Sequence, residues 1–321
     1  MNDINRNRLV FGDGARGGYQ LLLGSVEAGG TKFICGTGTV DGQVIDFVTI
    51  PTRNPDETLH DVIRYFVQHP VGAIGIASFG PLSLSSDDIG TITTTPKLAW
   101  RGVNIKRRLE EVLGIPAAID TDVNASVLAE RTWGAAQDLT SCVSMTVGTG
   151  IGAGIYAAGN VWRGITHPKL GHITVKRDAG DKFDGVCPSH GDCLEGLASG
   201  PALRRRWGLD GSALSESHLA WALESFYLAQ GLVTITYLLS PQRIVLGGGV
   251  MKRSILWPLL RHTFILLLNN YHVYEDSADV GQYIVPTKLG MLSGLRGGFL
   301  LAADLLHDDS HSSHLWERED S

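Results

Sequence analysis

The sequence predicts an α/β protein of two similar lobes around a central cleft. Strand-like and helix-like patterns alternate along most of the 321 residues, and a hairpin with a glycine-rich turn opens each half. The chain is long enough for two hydrophobic cores, and its 43% hydrophobic and 19% charged residues are ordinary for a soluble enzyme. Duplication of this kind is typical of proteins that bind ligands between their lobes.

The first half begins with strand patterns at 21–26 and 32–36 around a Gly-Gly turn, and another follows at 44–50. Residues 56–67 combine helical spacing of apolar residues with acids in the first turn. The remaining elements are a buried strand, a helix, a strand and a helix, at 73–77, 104–113, 116–119 and 123–137.

The second half repeats the plan with a strand at 141–147, a glycine turn and a second strand. A long helix, a strand, a helix and a closing helix follow at 216–238, 243–246, 250–269 and 289–306.

We therefore expect an N-terminal lobe at 21–140 and a C-terminal lobe at 141–306, with the last helix able to pack back on the N-terminal lobe. The polar segments 1–20 and 307–321 are predicted to be a disordered leader and tail.

Composition narrows the classes of function. The net charge is −6 and the pI is near 6.0, so neither nucleic acid nor an anionic membrane is an expected partner. The apolar runs are shorter than a membrane span, and nothing resembles a signal peptide. Cys35 and Cys142 lie in apolar strand patterns, where cysteine behaves as a small buried hydrophobe. This cysteine usage favours the cytoplasm.

A zinc site is predicted from His172, Cys187, His190 and Cys193. The C-x-x-H-x-x-C spacing is too loose for one helix face but suits a loop around a metal. Two thiolates and two imidazoles complete a tetrahedron and leave no position for water, so the zinc is expected to be structural. The alternative is two unlinked Cys/His pairs. Since the loop leads directly into Glu195, it is expected to shape one wall of an active site.

Three glycine-rich turns are candidates for holding phosphates. Residues 27–32, Glu-Ala-Gly-Gly-Thr-Lys, offer unhindered backbone N–H groups, a hydroxyl and an ammonium, although Gly-Gly also suits a plain hairpin. Residues 148–152 form a second such turn. The third, at 247–251, follows a strand and is expected to open a helix whose N-terminus favours anions. Together the three turns favour a nucleotide site.

The acid–base candidates are Asp120 and Asp122, at the end of a strand that enters a helix. A hydroxyl that attacks phosphorus needs a carboxylate to accept its proton. Either residue could instead cap the helix. Asn124 has the chemistry to bind ligand hydroxyls, and the loops at 78–81 and 95–100 either line the same pocket or are plain turns.

This ordered set of motifs resembles the ROK (repressor, open reading frame, kinase) sugar kinases, and among them the bacterial zinc-containing fructokinases. The resemblance extends over about residues 22–304. The motifs that carry it lie at 27–32, 78–81, 93–97 with Trp100, 121–125, 148–154, 171–172, 187–201 and 246–251.

The resemblance implies an actin-like ATPase fold of two ribonuclease-H-like lobes. It also implies transfer of the γ-phosphate of ATP, bound with Mg²⁺, to a hexose, with D-fructose 6-phosphate as the expected product and a homodimer as the expected assembly. Asp122 would be the general base, and His172, Cys187, His190 and Cys193 would bind zinc. The sugar-binding residues would be Asn124, His172, Glu195, Gly80 and Pro81. The nucleotide-binding residues would be Gly29, Gly30, Thr31, Lys32, Thr149, Gly150, Pro201, Gly247, Gly248, Gly249, Val250 and Met251.

One position departs from the family pattern. The family's Glu-x-Gly-His, whose glutamate binds sugar hydroxyls, reads Lys169-Leu-Gly-His172 here, so an acceptor has become a donor-only cation. A kinase of another hexose, such as mannose or glucose, and a sugar-binding sensor without turnover therefore remain alternatives. A repressor of the same family would need a DNA-reading domain of about 60 residues, and only about 20 precede the first turn.

Overall fold

The computed structural model describes residues 11–13, 19–271 and 279–312 and divides into two compact units. Unit 1 comprises residues up to Ala129, the short segment Ile165–His167 and the chain from Leu292 onward, and unit 2 comprises Glu130–Gly164 and Pro168–Met291. The boundary at Ala129 is earlier than the predicted residue 140.

Unit 1 contains a five-stranded mixed sheet. The elements of the chain up to residue 133 are β1 Phe11–Asp13, β2 Tyr19–Leu21, β3 Leu23–Ala28, β4 Lys32–Gly38, β5 Val44–Pro51, α1 Pro55–Gln68, β6 Ala73–Ser78, α2 Ile105–Leu113, β7 Ala117–Thr121 and α3 Asp122–Trp133. The sheet order is β5-β4-β3-β6-β7. The meander β3-β4-β5 is antiparallel, whereas β6 and β7 run parallel to β3. Every residue of β6 is buried, as is usual for a parallel strand covered on both faces.

Two short strands lie within the segment that was predicted to be a disordered leader. β1 and β2 pair antiparallel, with Phe11 opposite Leu21 and Asp13 opposite Tyr19, and the aromatic residues of this segment favour extended structure. Residues 1–10 and 14–18 lie outside the described residues.

Unit 2 repeats the same sheet topology. Its elements are β8 Cys142–Val147, β9 Ile151–Ala157, β10 Asn160–Val161, α4 Leu194–Ala198, α5 Gly200–Trp207, α6 Ala220–Leu239, β11 Ile244–Gly247, α7 Leu256–Leu268, α8 Val280–Tyr283 and β12 Ile284–Pro286. The sheet order is β10-β9-β8-β11-β12. The meander β8-β9-β10 is antiparallel, and β11 and β12 run parallel to β8. The predicted duplication of an α/β plan is therefore confirmed.

The helix α6 is the central helix of unit 2. It is long and apolar enough to span a membrane by length and composition, but half of that stretch is buried. Trp221, Tyr227, Leu228 and Leu232 pack in the core of the unit, as expected for a core helix of a globular protein.

The third glycine turn does not open a long helix, contrary to the prediction. A short 3₁₀ turn covers Val250–Lys252, and α7 begins only at Leu256. Pro258 explains the delay, because a proline is tolerated in the first turn of a helix but in its interior removes a backbone donor and clashes with the preceding turn. The helix N-terminus expected at residue 250 therefore lies at Leu256 instead.

The last helix, α9 Ser293–Ser312, belongs to unit 1. It packs on β3, β6 and β7, and a Cβ built on Gly75 of β6 would lie 1.8 Å from the carbonyl oxygen of Gly298. Only glycine permits this approach of helix to sheet. Because helix propagation is favourable once a helix has formed, α9 continues through residues 307–312, where a disordered tail was predicted. Residues 313–321 lie outside the described residues.

Buried Glu130 explains the position of the unit boundary. Its carboxylate accepts hydrogen bonds from Ala135 N at 2.7 Å, Leu289 N at 3.1 Å and the Thr287 hydroxyl. These bonds join the last turn of α3 to the segment after β12, so this turn belongs to unit 2. Sequence reasoning did not identify Glu130 because its partners lie far along the chain.

Candidate active site and metal cluster

The predicted general base, Asp122, is the first residue of α3 and is half-buried. The Thr121 hydroxyl accepts a hydrogen bond from Asn124 N at 3.3 Å, which is the bond of a helix cap. Since Thr121 caps the helix, capping does not explain Asp122.

Its neighbour Asp120 has a different environment. Asp120 is 1% exposed, and its Oδ1 accepts hydrogen bonds from Thr121 N at 2.7 Å, Asn124 Nδ2 at 2.8 Å and His167 Nε2 at 3.1 Å. Asp120 therefore fixes the junction between β7 and α3. The side-chain nitrogen of Asn124 is occupied by its hydrogen bond to Asp120. His167, which sequence reasoning missed, is also buried.

Two polar atoms around Asp120 lack partners among the described residues. These atoms are Asn124 Oδ1 and His167 Nδ1, which are buried and form no hydrogen bond within the described ranges. A buried acceptor of this kind is costly unless something binds it. The fixed amide of Asn124 thus presents an acceptor suited to a ligand hydroxyl.

Glu27, at the end of β3, is a second carboxylate of this site. Burial raises the pKa of the Glu27 carboxyl to about 7, and the Asp122 carboxylate adds to the rise, whereas Lys32 and a hydrogen bond from the Leu295 amide lower it. Its Oε2 is buried and has no hydrogen-bond partner among the described residues. A carboxylate close enough to raise the pKa of a second one forms with it a suitable place for a cation.

Glu27→Gln tests this raised pKa. A carboxyl with a pKa near 7 when folded and 4.5 ordinarily holds its proton more tightly in the folded chain. Its contribution to the free energy of unfolding is therefore complete below about pH 4.5 and is lost as the pH rises to about 7. We expect Glu27→Gln to raise the free energy of unfolding by ~1–3 kcal/mol at pH 8 and much less at pH 5, measured by urea denaturation. The exposed Glu57→Gln should show no such pH dependence, and an equal effect of Glu27→Gln at both pH values would contradict the assignment.

The diglycine turn of unit 1 joins β3 to β4 as predicted. Gly29 N donates to Lys32 O at 3.0 Å and the Thr52 hydroxyl to Gly29 O at 2.8 Å, while the side chains of Thr31 and Lys32 are exposed. A Cβ built on Gly80 would lie 3.7 Å from Thr121 Cγ2. Unit 1 thus places Gly80 beside the residue that precedes the predicted base.

The predicted nucleotide residues of unit 2 lie together. Gly200 N, which precedes Pro201, donates to Gly148 O at 2.8 Å, and a Cβ built on Gly148 would lie 3.8 Å from Gly249 N. Gly248 has φ +96°, and a Cβ there would lie 2.2 Å from Val147 O, so only glycine fits. Thr149 and Gly249 are exposed. Val250 and Met251 are instead buried in the core of the unit, so any contact with a ligand would come from their backbone.

Glu195 lies against the same turn. Its Oε2 accepts a hydrogen bond from Ile151 N at 2.9 Å, and a Cβ built on Gly150 would lie 2.7 Å from it. The carboxylate is thus fixed two residues after the last predicted zinc ligand.

The four predicted zinc ligands form one cluster. Their ligand atoms all lie within 4.8 Å of one another, and the Cys187 Sγ–His172 Nδ1, Cys187 Sγ–His190 Nδ1 and Cys193 Sγ–His172 Nδ1 distances are each 3.7 Å. A tetrahedral zinc with ordinary bond lengths places sulfur and nitrogen about 3.6 Å apart. The donor set and its spacing fit zinc.

Lys169, the departure from the family pattern, is exposed. It immediately precedes the 3₁₀ turn Leu170–His172, and its carbonyl accepts a hydrogen bond from His172 N at 2.9 Å. Lys169 is one of the residues that line an apolar cavity of about 240 Å³. Other residues lining the cavity include Ile155, Leu170, Ile173, Thr234 and Leu238.

A sequence model of the ROK family matches residues 23–305. The chain belongs to the ROK family. Proteins named fructokinase are among its relatives. The one from Pediococcus pentosaceus is 44% identical over 88% of this chain and 98% of its own. The one from Lactococcus lactis subsp. cremoris is 41% identical over 89% of this chain and 98% of its own.

Solved ROK structures share the fold. The ROK hexokinase of Thermus thermophilus is 27% identical and superposes with a TM-score of 0.70, covering 90% of this chain and 100% of its own. A ROK glucokinase of Streptomyces griseus, at 23% identity and a TM-score of 0.73, shows the same fold over 88% of this chain and 99% of its own. The family and the actin-like ATPase fold expected from the motifs are thus confirmed.

Proposed function

We propose that the protein transfers the γ-phosphate of ATP to the 6-hydroxyl of D-fructose. The observation that carries this proposal is the fructokinase relatedness at 38–44% identity over most of the chain. The site geometry supports it, because a half-buried carboxylate at the start of α3 lies near a second carboxylate and a diglycine turn within unit 1.

The proposed site residues of unit 1 have separate tasks in this reaction. Asp122 accepts the proton of the sugar's 6-hydroxyl. As it does so, the hydroxyl oxygen bonds to the γ-phosphorus, and the bond from that phosphorus to the leaving ADP oxygen breaks. Asn124, held by Asp120, accepts a hydrogen bond from a sugar hydroxyl, and Gly80 and Pro81 border the sugar. Residues 29–32 supply backbone N–H groups, a hydroxyl and an ammonium for the phosphates.

The residues present fit the Mg²⁺ of the nucleotide. The buried Oε2 of Glu27, which has no hydrogen-bond partner among the described residues, is a hard oxygen ligand, and Asp122 is near enough to raise the pKa of Glu27. Mg²⁺ usually keeps several waters and binds through one or two carboxylates plus phosphates. When bound, it neutralises charge on the phosphates, and Glu27 would hold it directly or through water.

In unit 2 the zinc is proposed to be structural. His172, Cys187, His190 and Cys193 would occupy all four positions, so zinc supplies rigidity rather than a reactive water. That rigidity fixes Glu195, which together with His172 is proposed to bind the sugar. Thr149, Gly150, Pro201 and the 247–251 turn are proposed to surround the nucleotide.

An ADP-release assay with a panel of hexoses tests the proposed function. We expect kcat/KM to be higher with fructose than with mannose or glucose. Preferred turnover of mannose or glucose would identify a kinase of another hexose. Sugar binding with no ADP formed from any hexose would overturn the kinase assignment in favour of a sensor.

Lys169→Glu tests whether the family's sugar contact has been lost. A glutamate accepting a charge-assisted hydrogen bond contributes about 1.5–3 kcal/mol, so restoring it should lower the fructose KM about ten- to a hundredfold, measured at saturating ATP. Lys176→Glu, which introduces the same charge change elsewhere in unit 2, is the control. An unchanged KM would show that position 169 does not contact the sugar, and a collapse of activity would show that the lysine serves another substrate.

We also propose that the protein is a cytoplasmic homodimer with small-molecule substrates and without nucleic-acid or membrane partners. The net charge of −6 disfavours nucleic-acid and anionic-membrane partners, and the resemblance to ROK fructokinases implies the cytoplasmic homodimer. Analytical ultracentrifugation should give twice the chain mass, and a monomer would contradict the assembly.

A further inference from the structure

Lys97 lies beside the diglycine turn of unit 1. A Cβ built on Gly30 would lie 3.1 Å from Lys97 Cε, so the end of the lysine side chain packs against the backbone of the turn. The ammonium nitrogen is only one bond farther. A positive charge therefore lies at the turn proposed to hold phosphates, in addition to that of Lys32.

The backbone that carries Lys97 is anchored in the core of unit 1. Trp100 is 2% exposed, its indole donates to Arg53 O at 3.0 Å, and its backbone N donates to Lys97 O at 2.9 Å. Phe33 and Phe79 pack on the indole with ring centroids 5.3 and 5.7 Å away. Lys97 is thus held in place by a buried aromatic cluster, which reduces the entropy lost when it binds a ligand.

The other end of the same loop reaches the proposed sugar segment. Thr93 donates to Pro81 O through its backbone N at 2.8 Å and its hydroxyl at 3.2 Å. Buried Thr95 accepts a hydrogen bond from Lys97 N at 3.3 Å. The loop at 93–97 therefore runs from the residues proposed to border the sugar to the turn proposed to hold phosphates.

No carboxylate among the described residues pairs with the charge of Lys97. Within the described part of the chain its ammonium makes no ion pair or hydrogen bond, whereas Lys32 lies near enough to Glu27 to lower that residue's pKa. A phosphoryl group in transfer carries negative charge over three oxygens, and a preorganised cation stabilises that charge. We propose that Lys97 is a catalytic residue that binds the transferring phosphoryl group. This inference rests on the proposed kinase function.

Lys97→Met removes the charge and keeps most of the side-chain volume. We expect kcat with fructose to fall about 10²–10³-fold, as when one preorganised donor to a transition state is removed. The affinity for MgADP, measured by calorimetry, should change less than about threefold, because ADP lacks the transferred group, whereas affinity for a non-hydrolysable ATP analogue should fall at least tenfold. Lys97→Arg should recover part of kcat. Lys106→Met, which removes a lysine paired with Glu110 on α2, is the charge control and should retain kcat.

The outcomes separate this role from the alternatives. A kcat for Lys97→Met within about threefold of wild type would overturn the proposal, as would an equal loss of affinity for ADP and the ATP analogue. A wild-type protein that phosphorylates no hexose would instead overturn the proposed function. The two affinities would then still decide whether Lys97 binds the terminal phosphate.

Discussion

Asp122→Asn is expected to keep the fold and to lower kcat for phosphate transfer by about 10²–10⁴-fold. The amide cannot accept the proton of the attacking hydroxyl, but it has nearly the same volume as the carboxyl. Because Thr121 caps α3, the helix should not lose stability. Steady-state kinetics should therefore show the loss in kcat with little change in the melting temperature.

Asp120→Asn is the matched control. Its Oδ1 accepts three hydrogen bonds, so this variant should lower thermal stability while kcat per folded molecule falls much less. Near-normal turnover of Asp122→Asn, or equal losses of kcat at both positions, would show that the wrong carboxylate had been chosen.

Loss of the zinc cluster is expected to have the largest effect on stability. We predict one tightly bound zinc per chain, measured by elemental analysis, which should be lost in Cys193→Ser. Since structural zinc contributes folding free energy, this variant should be destabilised by about 3 kcal/mol or more. The fructose KM should also rise, because Glu195 lies two residues from Cys193. Chelation of the wild type should lower stability and sugar affinity together.

Cys142→Ser provides the control for the zinc prediction. Cys142 is buried in β8, so the same change of sulfur to oxygen disturbs the core without touching the cluster. This variant should keep one zinc per chain. Purified wild-type protein without zinc, or a Cys193→Ser variant as stable as the wild type, would contradict the assignment.

The sequence predicts most of the fold because its signals are local. Apolar strands, glycine turns and the C-x-x-H-x-x-C spacing each lie within a few residues. The duplicated order of strands then specifies two sheets of the same topology. The short helices α4 and α5 escaped prediction because helices of five and eight residues carry little periodicity and depend on tertiary packing.

The parts of the site that escaped prediction depend on contacts distant along the chain. The raised pKa of Glu27 requires burial, Asp122 and Leu295, and the role of Asp120 requires His167, 47 residues away. Lys97 was recognised only as part of a motif, because its position beside Gly30 follows from the packing of Trp100. The third turn was wrongly assigned to a helix because the effect of Pro258 was not considered.

Identification of the product gives the decisive test of the kinase assignment. Wild-type protein, fructose and MgATP should form ADP and fructose 6-phosphate in equal amounts, with the phosphorus signal of the product coupled to the protons on C6 in ³¹P NMR. Asp122→Asn should form both products at least about a hundredfold more slowly. ADP formed without a sugar phosphate, or a phosphate on another hydroxyl, would contradict the proposed reaction.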